Sequence, residues 1–147
     1  CKAPDLVSAI APVAGTMMNS WAKDCEPGAR MPLLAIHGTH DDITRFNGDP
    51  EDKDGWGKYL GQEDIIDYWV GHNELENYSS LSLPDIDPED DSRVRLAEYW
   101  SEEHQVRVLF YIVENGGHDW PGSSGNMDIN ASEEVLKFFH QFRLNIK

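Results

Sequence analysis

The apolar run "VRVLFYIV", Val106–Val113, passes directly into "ENGGHDWPG", Glu114–Gly122, and this junction decides how the chain is read. A nearly unbroken series of branched and aromatic side chains, without polar alternation, describes a strand buried on both faces, as parallel sheets require. The glycine pair allows a sharp turn and a close approach to a neighbouring chain segment, and Pro121 stiffens the exit from that turn. His118 is therefore held at the mouth of a strand. A histidine in such a loop is by itself most simply a half-buried turn residue, so its meaning depends on what else reaches the same end of the sheet.

Working outward, two more segments repeat the pattern. "LVSAIAPVAG", Leu6–Gly15, and "MPLLAIHGT", Met31–Thr39, are short apolar runs ended by Gly15 and Gly38, and both read as fully buried parallel strands. "EDIIDYWVGH" places Ile65, Tyr68, Trp69 and His72 on one face, which predicts a helix of about three turns starting at Glu63. "DSRVRLAEYW" fits a strand or a short helix. "DINASEEVLKFFHQF" sets Val135, Phe138, Phe139 and Phe142 at helical spacing, an amphipathic helix with Asn130 or Ser132 as its cap. Strands alternating with helices define an α/β sheet, whose functional residues gather beyond the carboxyl ends of the strands.

Composition bounds the class. With 147 residues, 39% of them apolar, and five each of Trp, Tyr and Phe, the chain can bury one sizeable core, as one domain or one part of a larger one. A formal net charge of −15 argues against nucleic acid and anionic membrane surfaces as partners. Much of the acid falls in "GDPEDKDG" and "PDIDPEDDSR", which read as exposed loops. No stretch approaches the roughly 20 apolar residues of a membrane span, and no signal-peptide pattern opens the chain. A start at Cys1 rather than Met reads as a piece of a longer polypeptide. Cys1 and Cys25 suit one disulfide in an oxidising compartment or two buried thiols, and the count leaves both open. The six histidines are scattered and no Cys-x-x-Cys pair exists, so neither a metal site nor a cofactor is expected.

Two polar clusters sit where an α/β sheet keeps its chemistry: "HGTHDDITRFNG", His37–Gly48, after the second strand, and "NGGHDWPG", Asn115–Gly122, after the last. A carboxylate and a histidine delivered to one sheet edge have a clear use. The carboxylate fixes the imidazole tautomer and leaves the other ring nitrogen free to take a proton from a nucleophile. These residues also carry a resemblance. "HGTHDD", then "FNG", then "GGHDWPG" before "DINASEEVLKFF", resembles the carboxy-terminal portion of an α/β-hydrolase of the polyhydroxybutyrate depolymerase and feruloyl esterase group, whose fold acetyl-xylan esterases share. The likeness begins at "CKAPDLVSAIAPVAGT", similar to the segment just past a nucleophile elbow, and runs with gaps to the last helix.

The resemblance implies that residues 1–147 form a single partial domain, that Asp41 is the triad acid and His118 the triad base, and that Asp42 is the neighbouring competitor for the acid role. Trp120 would offer a flat wall to an acyl chain or phenolic ring, or else pack in the core. His37 and His40 read as loop supports. The departures are as informative. "ITRFNG" stands in place of a Val-Pro-Tyr-like stretch, so Arg45 replaces the usual proline and brings a cation towards the site. "HNELEN", His72–Asn77, lacks the cysteine that commonly follows the "HN" of the middle helix, so one disulfide of the group is missing.

No G-x-S-x-G occurs anywhere in the chain. Hydrolases of this fold order their triad Ser, then Asp, then His, so the serine elbow and its oxyanion donors would lie upstream. The expected activity is thus hydrolysis of a polyester or plant cell-wall ester, by a secreted or periplasmic enzyme of which this chain is an inert part. A non-catalytic relative acting as a binding module is the alternative. An unrelated complete α/β domain is the weakest reading, because three parallel strands would leave a long unpaired edge. That edge, along "LVSAIAPVAG", predicts self-association or packing against another polypeptide. Asn77-Tyr78-Ser79 and Asn130-Ala131-Ser132 match glycosylation sequons, although at the second a helix cap accounts for the asparagine.

Overall fold

The computed structural model describes residues 6–25 and 28–142. Its elements are α1 (Asn19–Asp24), β1 (Leu33–Gly38), α2 (Gln62–Asn73), β2 (Asn77–Ser82), a short 3-10 turn at Pro88–Asp90, β3 (Arg93–Ser101), β4 (Val106–Glu114) and α3 (Ala131–Gln141). The four strands form one mixed sheet in the order β1-β4-β3-β2. β1 and β4 run parallel, while β3 is antiparallel to both β4 and β2.

β1 and β4 are apolar throughout because both faces of the sheet are covered at this point. Leu33 and Ala35 face one layer with Val108, Phe110 and Ile112, where α2 supplies Ile65, Ile66 and Trp69. Leu34 and Ile36 face the opposite layer with Leu109, Tyr111 and Val113, where α3 supplies Ala131 and Phe138. Alternation along each strand thus feeds two cores, and removing either helix would expose a full apolar sheet face. Asn130 caps α3 by accepting the Glu133 amide at 3.2 Å. Ser132 is occupied differently, accepting the indole N–H of Trp120 at 3.0 Å.

The sheet is less parallel than the sequence suggested. "DSRVRLAEYW" resolves into β3, and the polar stretch "NYSSLS" becomes β2, which no apolar pattern announced. β2 pairs on one side only and is exposed along nearly all its length, so it needs few apolar side chains. The first apolar run is also corrected. Residues 9–14 follow β1 in parallel, with bridges Ile10 to Leu33 and Val13 to Ile36, but they are half-buried and form no continuous strand. Pro12 lacks the amide a continuous strand would use, and no strand among the described residues pairs with the segment's outer flank.

Smaller differences have similar causes. Phe139 touches the Phe138 ring, with centroids 6.2 Å apart, yet is 37% exposed, because it lines the groove beside residues 9–17. Asp49, in a loop expected to be exposed, is buried, and its carboxylate accepts the Asp54 amide at 3.2 Å. Cys25 is buried and is not a free thiol, which fits the disulfide of the two alternatives, whereas Cys1 lies outside the described residues. Among the described residues no helix is long and apolar enough to cross a membrane.

Candidate active site

The parallel pairing of β1 with β4 brings their carboxyl ends together, and the loops that follow are laced by backbone hydrogen bonds. The Thr39 amide donates to the Val113 carbonyl and the His40 amide to the Gly116 carbonyl, both at 2.9 Å. Gly38 makes this approach feasible: a Cβ there would collide with the carbonyl oxygens of Gly116 and Gly117. Further along, Gly122 has a φ of +82° and lies against the start of α3, where a Cβ would come within 2.7 Å of the Asn130 Cα. Gly38 and Gly122 therefore fix where the His118 loop passes the end of β1 and where it rejoins a helix.

At this junction Asp41 and His118 meet. One carboxylate oxygen of Asp41, Oδ2, accepts from Nδ1 of His118 at 2.9 Å. The other, Oδ1, accepts the backbone amides of Ile43 and Thr44 at 2.9 and 2.8 Å. The Asp41 side chain is wholly buried, whereas that of His118 is 41% exposed. Nε2 of His118 has no hydrogen-bond partner among the described residues. Asp42 is exposed and makes no contact with His118, so the carboxylate that reaches the imidazole is that of Asp41.

The remaining residues singled out from the sequence fall into distinct places. His37 is buried, and its Nε2–H donates to the Thr44 carbonyl at 2.7 Å while standing 3.2 Å from Asp41 Oδ2. Burial strips the imidazolium of hydration, and this outweighs the Thr44 carbonyl and the Asp41 charge, so the pKa of His37 lies below its ordinary 6.5. Its neutral form is favoured. His40 is exposed and contributes its backbone amide. Trp120 is 45% exposed rather than a core residue. The Arg45 guanidinium is engaged by Asp54 at 2.7 Å, within its own loop, instead of serving the Asp41–His118 pair.

Thr44 was not anticipated. Its hydroxyl lies 3.0 Å from His118 Nδ1, 3.1 Å from Asp41 Oδ2 and 2.6 Å from the carbonyl oxygen of Ala14. A signal for it did exist in the sequence, since an aspartate followed three residues later by threonine is the spacing at which the carboxylate receives the threonine amide in a tight turn. The hydroxyl contacts, across 30 and 74 residues, depend on the tertiary fold.

Chemically, a buried carboxylate that accepts two backbone amides holds one nitrogen of a half-exposed imidazole and leaves the other open. Such a ring can take a proton from a hydroxyl presented to Nε2 and later return it. Among the described residues no group of three or more His, Cys, Asp or Glu side chains is placed to hold a metal ion. No protein-family model matches the chain, and no curated protein sequence is significantly similar to it.

Proposed function

We propose that this chain is the acid- and base-bearing portion of a serine carboxylic-ester hydrolase with an α/β-hydrolase fold. The observation that carries the reading is the 2.9 Å contact between the buried Asp41 carboxylate and His118 Nδ1, formed between loops at the carboxyl ends of two parallel strands. In the proposed reaction an upstream serine attacks the ester carbonyl. His118 Nε2 accepts the serine proton and gives it to the departing alcohol, and Asp41 stabilises the imidazolium between the two transfers. Water then releases the acyl group by the same sequence.

The substrate class is a polyhydroxyalkanoate, feruloyl or acetyl-xylan ester met outside the cytoplasm, in a secreted or periplasmic setting. Trp120, exposed in the loop that carries His118, is the proposed wall for the acyl or phenolic part. The missing half has a natural seat. An apolar groove of about 540 Å³ lies along residues 9–17, floored by Leu33, Ala35, Ile65 and Trp69, with the half-buried segment 9–14 presenting its outer flank. The serine-bearing half would cover it.

The test is ester turnover. On p-nitrophenyl acetate the 147-residue chain should be inactive, and the same chain extended upstream through a serine elbow should be active. Replacing His118 with Ala in the extended chain should lower kcat by about 10³-fold or more. Full activity in that variant would remove His118 from the mechanism.

A further inference from the structure

We propose that Thr44 is a positioning residue that fixes the tautomer of His118 and ties it to the outermost segment of the sheet. This rests on the role proposed for His118, but its geometry stands independently. Nδ1 of His118, Oδ2 of Asp41 and Oγ1 of Thr44 form a nearly equilateral triangle with sides of 2.9, 3.0 and 3.1 Å. Thr44 has one hydroxyl hydrogen to place. Its distance to the Ala14 carbonyl is 2.6 Å, against 3.1 Å to Asp41, so the hydrogen goes to Ala14, and the Thr44 oxygen faces His118 as an acceptor.

The consequence is directional. Nδ1–H of His118 is shared between two acceptors, Asp41 Oδ2 and Thr44 Oγ1, and neither favours a hydrogen on Nε2. The acid alone would set the tautomer through one bond, and Thr44 adds a second whose polarity is enforced from behind by Ala14. Ala14 belongs to the segment beside β1, donates its own amide to the Ile36 carbonyl at 2.9 Å, and adopts a left-handed φ of 50°. That turn presents its carbonyl to Thr44. The position of the outer segment thus bears on the orientation of the imidazole through one relay, Ala14 to Thr44 to His118.

Histidine ¹⁵N spectra of the 147-residue chain test this without any need for turnover, so the outcome is separable from the esterase reading. At a pH where His118 is neutral, the unmodified chain should carry its hydrogen on Nδ1. Thr44→Val, which keeps the shape and loses the hydroxyl, should lower the ratio of Nδ1–H to Nε2–H by about five-fold, the effect of one lost hydrogen bond. Where that ratio is too large to read, the Nδ1 proton should exchange with water faster by a similar factor. Thr44→Ser should restore both readouts, and it serves as the second variant if valine disturbs folding. Unchanged tautomer and exchange in a folded Thr44→Val chain would overturn the proposal. So would loss of the Nδ1–H preference in Thr44→Ser, which retains the hydroxyl.

Discussion

The two flanks of β1 are built to different standards. Towards β4 it pairs in register over six residues, Leu33 to Gly38, and at their carboxyl ends the two strands exchange loop hydrogen bonds and deliver Asp41 and His118 to one point. Towards residues 9–14 it makes two isolated bridges, next to a segment that is half-buried and is preceded by the exposed Leu6 and Val7. A groove lined by apolar side chains accompanies the second flank and not the first. The difference teaches that the Asp41–His118 contact is complete within these residues, whereas the edge beside it leaves an apolar groove open.

The contrast can be broken most forcefully on the β4 flank. In an active extended chain, Asp41→Asn should reduce kcat by about 10⁴-fold, because the amide no longer holds the imidazole in the useful tautomer. Asp42→Asn, one residue along and exposed, should leave the rate within about two-fold on the same mechanism. Equal losses from the two substitutions would mean that the buried contact is not what orients His118.

Stability gives a second, smaller measure of the same difference. Gly38→Ala forces a methyl group into the Gly116 and Gly117 carbonyls and should cost about 3 kcal/mol in urea unfolding. Val7→Ala, on the open flank and 46% exposed, should cost less than about 0.5 kcal/mol. A large loss at Val7 would show that the outer segment is already anchored as firmly as β4.

The smallest effect concerns pH. Because burial lowers the pKa of His37 below 6.5, the unfolded chain binds its proton more readily than the folded one. The contribution of His37 to stability is therefore complete above the unfolded pKa of 6.5 and is lost as pH falls below that value towards the folded one. Urea midpoints taken between pH 7.5 and 5.5 should decline more steeply for the native chain than for His37→Gln, which keeps a donor but does not titrate. Parallel slopes would place the acid sensitivity elsewhere.

Much of the sheet was legible because β1 and β4 are buried on two faces, so "MPLLAIHGT" and "VRVLFYIV" carry near-continuous apolar runs. β2 was not, since an edge strand exposed on nearly every residue needs neither a run nor an alternation, and "NYSSLS" offers neither. The first segment misled for the converse reason: its apolar residues resemble a central strand, but Pro12 and an outer flank without a paired strand leave it half-buried. At the site, Asp41 and His118 stood out by residue type and by their place after strands. Thr44 did not, because its meaning comes from Ala14 and His118, which are distant in sequence and meet only in the fold.

Covalent labelling by a fluorophosphonate tests the central claim most directly, since it reports an activated serine whatever the natural ester. The 147-residue chain should remain unlabelled, and the chain extended upstream should be labelled at a serine outside these residues, with labelling lost on His118→Ala. Labelling of a serine within residues 1–147 would contradict the account, as would an extended chain whose labelling is indifferent to His118.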